Sequence, residues 1–173
     1  GRRGLMVFLA EKGYADVRLT VRSAGGHSSN PFGGTSLATL SRAIARVAEA
    51  DWGCEVTPLL CQTLEAVGAP VPADPREFLG NRELFPYVTT TCAPTMICGG
   101  SAQANVMPQD MSATVNFRLL TGTTAEGVAR RVCELVADLP VEVELVREVS
   151  NDPSGVSTFE GAGAEGLLSA AAR

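Results

Sequence analysis

The chain has one histidine, His27, in 173 residues. A single imidazole and scattered thiols give no ligand cluster at a spacing that could hold zinc. A serine-histidine-acid triad fails for the same reason. The histidine is followed at once by Ser28, and Gly25-Gly26-His27-Ser28-Ser29-Asn30 lacks the second glycine of a nucleophile elbow. The cysteines, Cys54, Cys61, Cys92, Cys98 and Cys133, are odd in number, and no pair has C-x-x-C spacing. That argues against a disulfide framework or a zinc knuckle and for reduced thiols in a cytoplasmic protein. Positive charge is also scarce: 14 Lys and Arg stand against 19 Asp and Glu, a net charge of −5. Such a balance argues against nucleic acid and against an anionic membrane surface as partners. The longest apolar run, Leu5 to Ala10, is far too short to cross a bilayer, and no signal-peptide pattern is visible. There is no P-loop and no dinucleotide fingerprint. Taken alone, these residues contain no complete active site, and a soluble α+β interaction domain is an open reading of them.

What is present is a well-patterned core. Hydrophobic content of 45% and charged content of 19% suit one packed domain with room for an insertion. Leu5 to Ala10 reads as a short buried strand, and Glu11 to Tyr14 as a turn. Val17, Leu19 and Val21 then alternate with Asp16, Arg18, Thr20 and Arg22, the signature of a strand with one buried face. Thr35 or Ser36 can cap a helix whose apolar stripe is Leu37, Leu40, Ile44 and Val47. Residues 54–87 are less regular. Thr57 to Val67 and a segment opened by Asp74, Pro75 and Glu77 predict short helices in an insertion.

A second strand is predicted from Thr89 to Cys98, where Pro94 marks an edge or a bulge. A third follows over Ala113 to Leu119. Thr123 and Glu126 suggest a capping box for a helix carrying Val128, Val132, Leu135, Val136 and Leu139, stopped by Pro140. Val141, Val143 and Leu145 make a fourth strand. The order predicts an α+β, ferredoxin-like split βαβ sandwich: a four-stranded antiparallel sheet, two helices on one face, and a helical insertion after the first helix. Residues 150–173, rich in Gly, Ser and Ala, read as a linker and the start of a small helix.

The histidine lies between the first strand and the first helix. Gly25 and Gly26 permit positive φ there, and Pro31 prevents a helix from running through. Such a loop can present His27 outside its own core, although a lone histidine can also simply cap or pack locally.

Three motifs occur in a fixed order on this pattern: Gly25-Gly26-His27-Ser28-Ser29-Asn30-Pro31; then Gly99-Gly100 with Ala104-Asn105-Val106-Met107-Pro108; then Asn116-Phe117-Arg118-Leu119-Leu120-Thr121-Gly122. In this the chain resembles the dimerisation (lid) domain of the di-zinc aminoacylase/carboxypeptidase metallopeptidases (peptidase family M-twenty), most of all the carboxypeptidase S-like branch. Where the family often has Leu-Pro-Gly after the arginine, this chain has Leu120-Thr121-Gly122.

The resemblance implies a homodimer and a parent hydrolase acting on a dipeptide or N-acyl amino acid. The zinc would be held in a separate catalytic domain, with none in this chain, so the chain alone is expected to be inactive. It assigns residues 1–9 and 156–173 to crossings into that domain and residues 10–155 to the dimerisation domain, with 54–87 inserted. It also implies that His27 reaches the partner's active site and that Asn105 and Arg118 bind substrate. These residue types suit the chemistry. Attack on an amide carbonyl builds an oxyanion that an imidazole N–H stabilises, and a guanidinium fork matches a carboxylate. On the residues alone, Arg118 could instead be solvated or paired with Glu142 or Glu144, and Asn105 could serve an Asx turn. A stand-alone ferredoxin-like dimer that binds a small ligand or serves assembly is the alternative. It leaves the three motifs unexplained.

Overall fold

A computed structural model of the chain describes residues 8–158 and 160–171. Strand β1, Gly13–Arg22, leads into the two-residue strand β2, Gly26–His27, and helix α1, Ser36–Glu49. The insertion holds α2, Pro58–Val67, a 3-10 turn over Pro75–Gly80, and α3, Phe85–Val88. Then come β3, Thr91–Gly99; β4, Val106–Met107; β5, Asp110–Leu119; α4, Ala125–Leu135; β6, Glu142–Leu145; and α5, Ala162–Ala171. Four strands form one sheet in the order β3-β5-β1-β6, and every neighbouring pair is antiparallel.

Alternation along β1 and β5 places every second side chain on one face. Ala15, Val17, Leu19 and Val21 meet Met111, Ala113, Val115, Phe117 and Leu119 there. Leu40, Ala43 and Val47 of α1 and Val128, Ala129 and Val132 of α4 close over them. The opposite face carries Asp16, Arg18, Thr114, Asn116 and Arg118, as the pattern predicts for a solvated side. Arg18 pairs with Glu144 and Arg22 with Glu142 across strands β1 and β6.

Several local expectations are corrected. The strand over Leu5–Ala10 falls mostly outside the described residues, and residues 8–10 belong to no strand. Gly13 does not make a turn. It opens β1, and the need for glycine comes from close approach: a β-carbon there would sit 2.6 Å from the Pro153 nitrogen. Thr35 caps α1, its hydroxyl accepting from the Ala38 N–H. Leu37, expected in the buried stripe, is exposed. The cap of α4 is Thr124, not Thr123. The Thr123 N–H is committed to the Leu120 carbonyl in the preceding turn, whereas the Thr124 hydroxyl accepts from the Gly127 N–H. Helix α4 ends at Leu135, and residues 136–139 turn ahead of Pro140.

The insertion has a small core of its own in Leu60, Leu64 and Val88. Its neck is closed by Glu55 N–H to Val88 O, 2.8 Å, and by the Thr89 hydroxyl to Gly53 O, 2.5 Å. Strand β3 is a sheet edge, and its register slips at Pro94, where the missing N–H and the fixed ring break the ladder.

Candidate functional site

His27 does not sit on a free loop. It belongs to a short antiparallel arm in which Gly26 pairs with Met107 and His27 with Val106. The Ser28 N–H donates to Asn105 O at 2.9 Å, which ties the two arms beyond the strands. Gly25 has φ +68°, and a β-carbon there would lie 2.8 Å from the Gln109 side chain and 3.0 Å from Met107 O. A glycine is required at this position for both conformation and space. The Asn30 N–H then closes a turn onto His27 O at 3.1 Å.

The imidazole is exposed, and its orientation is set locally. Ser29 N–H donates to Nδ1 at 3.2 Å, and the Ser29 hydroxyl lies 2.8 Å from the same nitrogen. A nitrogen that accepts a backbone N–H is unprotonated, so the neutral ring carries its hydrogen on Nε2. Nε2 lies 3.4 Å from the Asn105 amide nitrogen, a donor, so a hydrogen on Nε2 is accepted by Asn105 only when the amide turns to present its oxygen. As placed, the contact leaves the Nε2 hydrogen without an acceptor in Asn105. The first and second motifs, 78 residues apart in the chain, therefore form one polar tip.

Arg118 is elsewhere. It lies near the end of β5, opposite Tyr14 of β1 and Thr91 of β3, whereas the arm with His27 leaves the sheet beyond Asp110. From Asp110 to Arg118 the strand spans about 27 Å at 3.4 Å per residue. The guanidinium stacks 4.7 Å from the centre of the Tyr14 ring and takes neither Glu142 nor Glu144, which pair with Arg22 and Arg18. The Tyr14 hydroxyl donates to Asp16 Oδ2 at 3.0 Å, and that bond raises the phenol's pKa.

Two residues of this corner escaped the sequence reading. The sequence pattern places Lys12 and Tyr14 in a turn, and only a strand starting at Gly13 puts Tyr14 beside Arg118. The Lys12 ammonium donates to the carbonyls of Pro86 and Thr89, both at 2.7 Å. Burial, and then the Arg118 charge, lower its pKa to about 8. A lysine pKa lowered on folding means that the charged form opposes folding at neutral pH. The penalty fades as pH rises from about 8 toward 10.5.

Among the described residues, no group of three or more His, Cys, Asp or Glu is placed to hold a metal ion. Burial pushes the Cys92 thiol up to about 11, far from a reactive thiolate. A cavity of about 590 Å³ lies between the insertion and the closing segment, lined by Leu9, Pro58, Leu59 and Val156 among others, and none of the three motif residues reaches it. The edge of β3 exposes Met96 and Ile97, which are 59% and 58% accessible.

Comparison with known proteins bears on the family and the fold. A family model described as peptidase dimerisation domain matches residues 9–144. The chain is 30% identical to the N-fatty-acyl-amino acid synthase/hydrolase PM20D1.1 of Danio rerio over 90% of its length, and 27% identical to the probable carboxypeptidase S-like 2 of Dictyostelium discoideum over 88%. It spans about a third of either relative, 33% and 32%. In fold it is similar to the M20 family metallo-carboxypeptidase Sso-CP2 of Sulfolobus solfataricus, with a TM-score of 0.66 at 16% identity. That match covers 94% of this chain and 49% of the other. Human carnosine dipeptidase 1 gives a TM-score of 0.58 at 13% identity, over 91% of this chain and 40% of that one. On the span of that match and these relatives, the chain belongs to the dimerisation-domain family of the M20 metallopeptidases.

Proposed function

We propose that this chain is the dimerisation and lid domain of a zinc-dependent cytoplasmic hydrolase that cleaves the amide bond of a dipeptide or N-acyl amino acid. Its frame is the ferredoxin-like split βαβ sandwich, with residues 54–87 as the insertion. The observation that carries the reading is the separation of His27 and Asn105 from Arg118. In such a substrate the scissile carbonyl and the free carboxylate are about one residue apart, roughly 3.5 Å of chain. His27 and Asn105 lie on a separate two-stranded arm that leaves the four-stranded sheet beyond Asp110, and Asp110 and Arg118 are already about 27 Å apart along β5, so the tip and Arg118 of one copy do not both reach it. They meet one substrate only if the tip comes from one copy and Arg118 from the other.

In that assembly Arg118 holds the substrate carboxylate in its own subunit's site with a two-pronged fork. The partner's tip brings the Nε2–H of its histidine to the carbonyl oxygen as negative charge develops there. Its asparagine steadies that donor. Zinc, which acts as a Lewis acid when bound, belongs in this reading to a catalytic domain outside the chain, so the chain alone hydrolyses nothing. Residues 9–14 run beside residues 151–157 through Ser157 N–H to Leu9 O and Tyr14 N–H to Asn151 O. Two adjacent crossings into one neighbouring domain account for that. The names of the relatives, fatty-acyl-amino acid hydrolase and carboxypeptidase, support a substrate with a free carboxylate.

The two-fold contact is assigned to the open edge of β3 with the exposed flank of α1. An unpaired edge continues a sheet across a symmetry axis, and Met96, Ile97 and Leu37 supply its apolar surface. Ile97→Lys, which places a charge on that edge, is expected to turn the dimer into a monomer in sedimentation velocity and to abolish turnover by the parent enzyme. A variant that remains a fully active dimer contradicts the assigned surface.

A further inference from the structure

We propose that Lys12 and Arg118 together form a carboxylate-binding site at the Tyr14 end of the sheet, with Lys12 as its second cation. The proposal rests on the reading of Arg118 as the group that meets the substrate's carboxylate, and it adds a residue to that site.

The argument begins with two cations that share a corner without a counter-ion. Among the described residues Arg18, Arg22, Arg46, Arg76, Arg131 and Arg147 lie in ion pairs, whereas Arg42, Arg82, Arg118 and Arg130 do not; of these four, Arg118 is the one whose charge acts on Lys12. Among the described residues, Arg118 and Lys12 have no carboxylate within ion-pair distance. The nearest acid on the same face, Asp16, is already engaged: one oxygen accepts from the Tyr14 hydroxyl at 3.0 Å and the other from the Asn116 amide at 2.8 Å. Arg118 rests on the Tyr14 ring, which fixes the plane of the guanidinium and leaves its N–H edge without a protein acceptor.

Lys12 is the only lysine in the chain; the other basic residues are all arginine. Its ammonium is anchored by two neutral carbonyls, Pro86 O and Thr89 O, and a lysine has three N–H donors, so one remains. Thr89 is two residues before Thr91, which pairs directly with Arg118. The anchor therefore holds the ammonium beside the strand end that carries the guanidinium. Two like charges held together, one of them partly out of water, are an unfavourable arrangement until an anion joins them. Burial first, and the Arg118 charge second, lower the pKa of Lys12, so repulsion from Arg118 is the smaller part of the effect. A carboxylate fits: one oxygen edge meets the fork of Arg118, and the free N–H of Lys12 meets an oxygen from the side. The charge that acts on the Lys12 ammonium is that of Arg118 on β5. The insertion offers it only carbonyls.

Because the chain has one lysine, selective ¹³C-lysine labelling of the 173-residue chain gives one side-chain signal to follow. Titrated alone, that signal is expected to have a midpoint near 8. N-acetylglycine, the simplest N-acyl amino acid, is expected to raise the midpoint by about 1 pH unit or more and to saturate, as a nearby opposite charge does. N-acetylglycinamide, which lacks the carboxylate, is expected to leave it unmoved. Arg118→Gln is expected to raise the ligand-free midpoint, since a like charge is removed, and to abolish the response to N-acetylglycine. A free-chain midpoint at the ordinary lysine value, or a signal indifferent to N-acetylglycine, overturns the proposal. The readout needs no second copy, metal or turnover, so it stands or fails separately from the role of His27 in the partner.

Discussion

His27→Ala is expected to lower kcat of the assembled parent enzyme by about 100- to 1,000-fold, the scale for losing one oxyanion donor. In the proposed role the Nε2–H would meet charge that exists only as the carbonyl is attacked, so the loss should fall on kcat more than on KM. The geometry supports so large an effect from an exposed side chain. Ser29 holds Nδ1 as an acceptor, so Nε2 carries the hydrogen without any charge on the ring. The arm is fixed by the Gly26–Met107 and His27–Val106 pairs and by Ser28 N–H to Asn105 O, so little reorganisation is left for the reaction. The dimer should persist, since His27 lies at neither the β3 edge nor the α1 flank. Steady-state kinetics on a dimeric variant checks this, and an unchanged kcat contradicts the assigned role.

Phe117→Ala is expected to have the largest effect on stability, about 3–5 kcal/mol, the range for truncating a buried phenylalanine. The ring is fully buried in the main core and meets Trp52 edge-on with centroids 4.8 Å apart. Trp52 is held in turn by its indole N–H on Val47 O at 3.1 Å, so the pair joins the end of α1 to the centre of the sheet. Removing the ring leaves a cavity that Leu40, Val115 and Val47 cannot fill without moving backbone. Phe117 lies directly between Asn116 and Arg118, and packing on its face of β5 keeps those two on the other. Thermal melting should fall by roughly 6–20 °C for a chain of this size. A loss below about 1 kcal/mol contradicts the account of the core.

Patterns that depend on near neighbours were legible before the structure. The alternation of β1 and β5, the caps at Thr35 and Asp74, and the bulge at Pro94 all follow from local chemistry. What escaped depends on distant partners. The arm that carries His27 forms because residues 26–27 find residues 106–107, and two residues of strand leave no period to detect. Gly13 reads as a turn glycine until the backbone of residues 151–153 is seen against it. Thr123 and Thr124 are equally good caps by type, and the turn onto Leu120 decides between them. The same holds for the site. The motifs named His27, Asn105 and Arg118, but only strand register shows that the first two form one tip and the third lies at the far end of the sheet.

That separation is the central claim, and mixed dimers test it most directly. One subunit carries His27→Ala, the other Arg118→Ala, and differently tagged copies allow the heterodimer to be isolated. If His27 serves the partner's site and Arg118 its own, one of the two sites receives both residues intact and the other neither. The heterodimer is then expected to show about half the wild-type kcat per dimer, far above either mutant homodimer. If both residues act within one subunit, each site lacks one of them. Activity no higher than the mean of the two mutant homodimers contradicts the account.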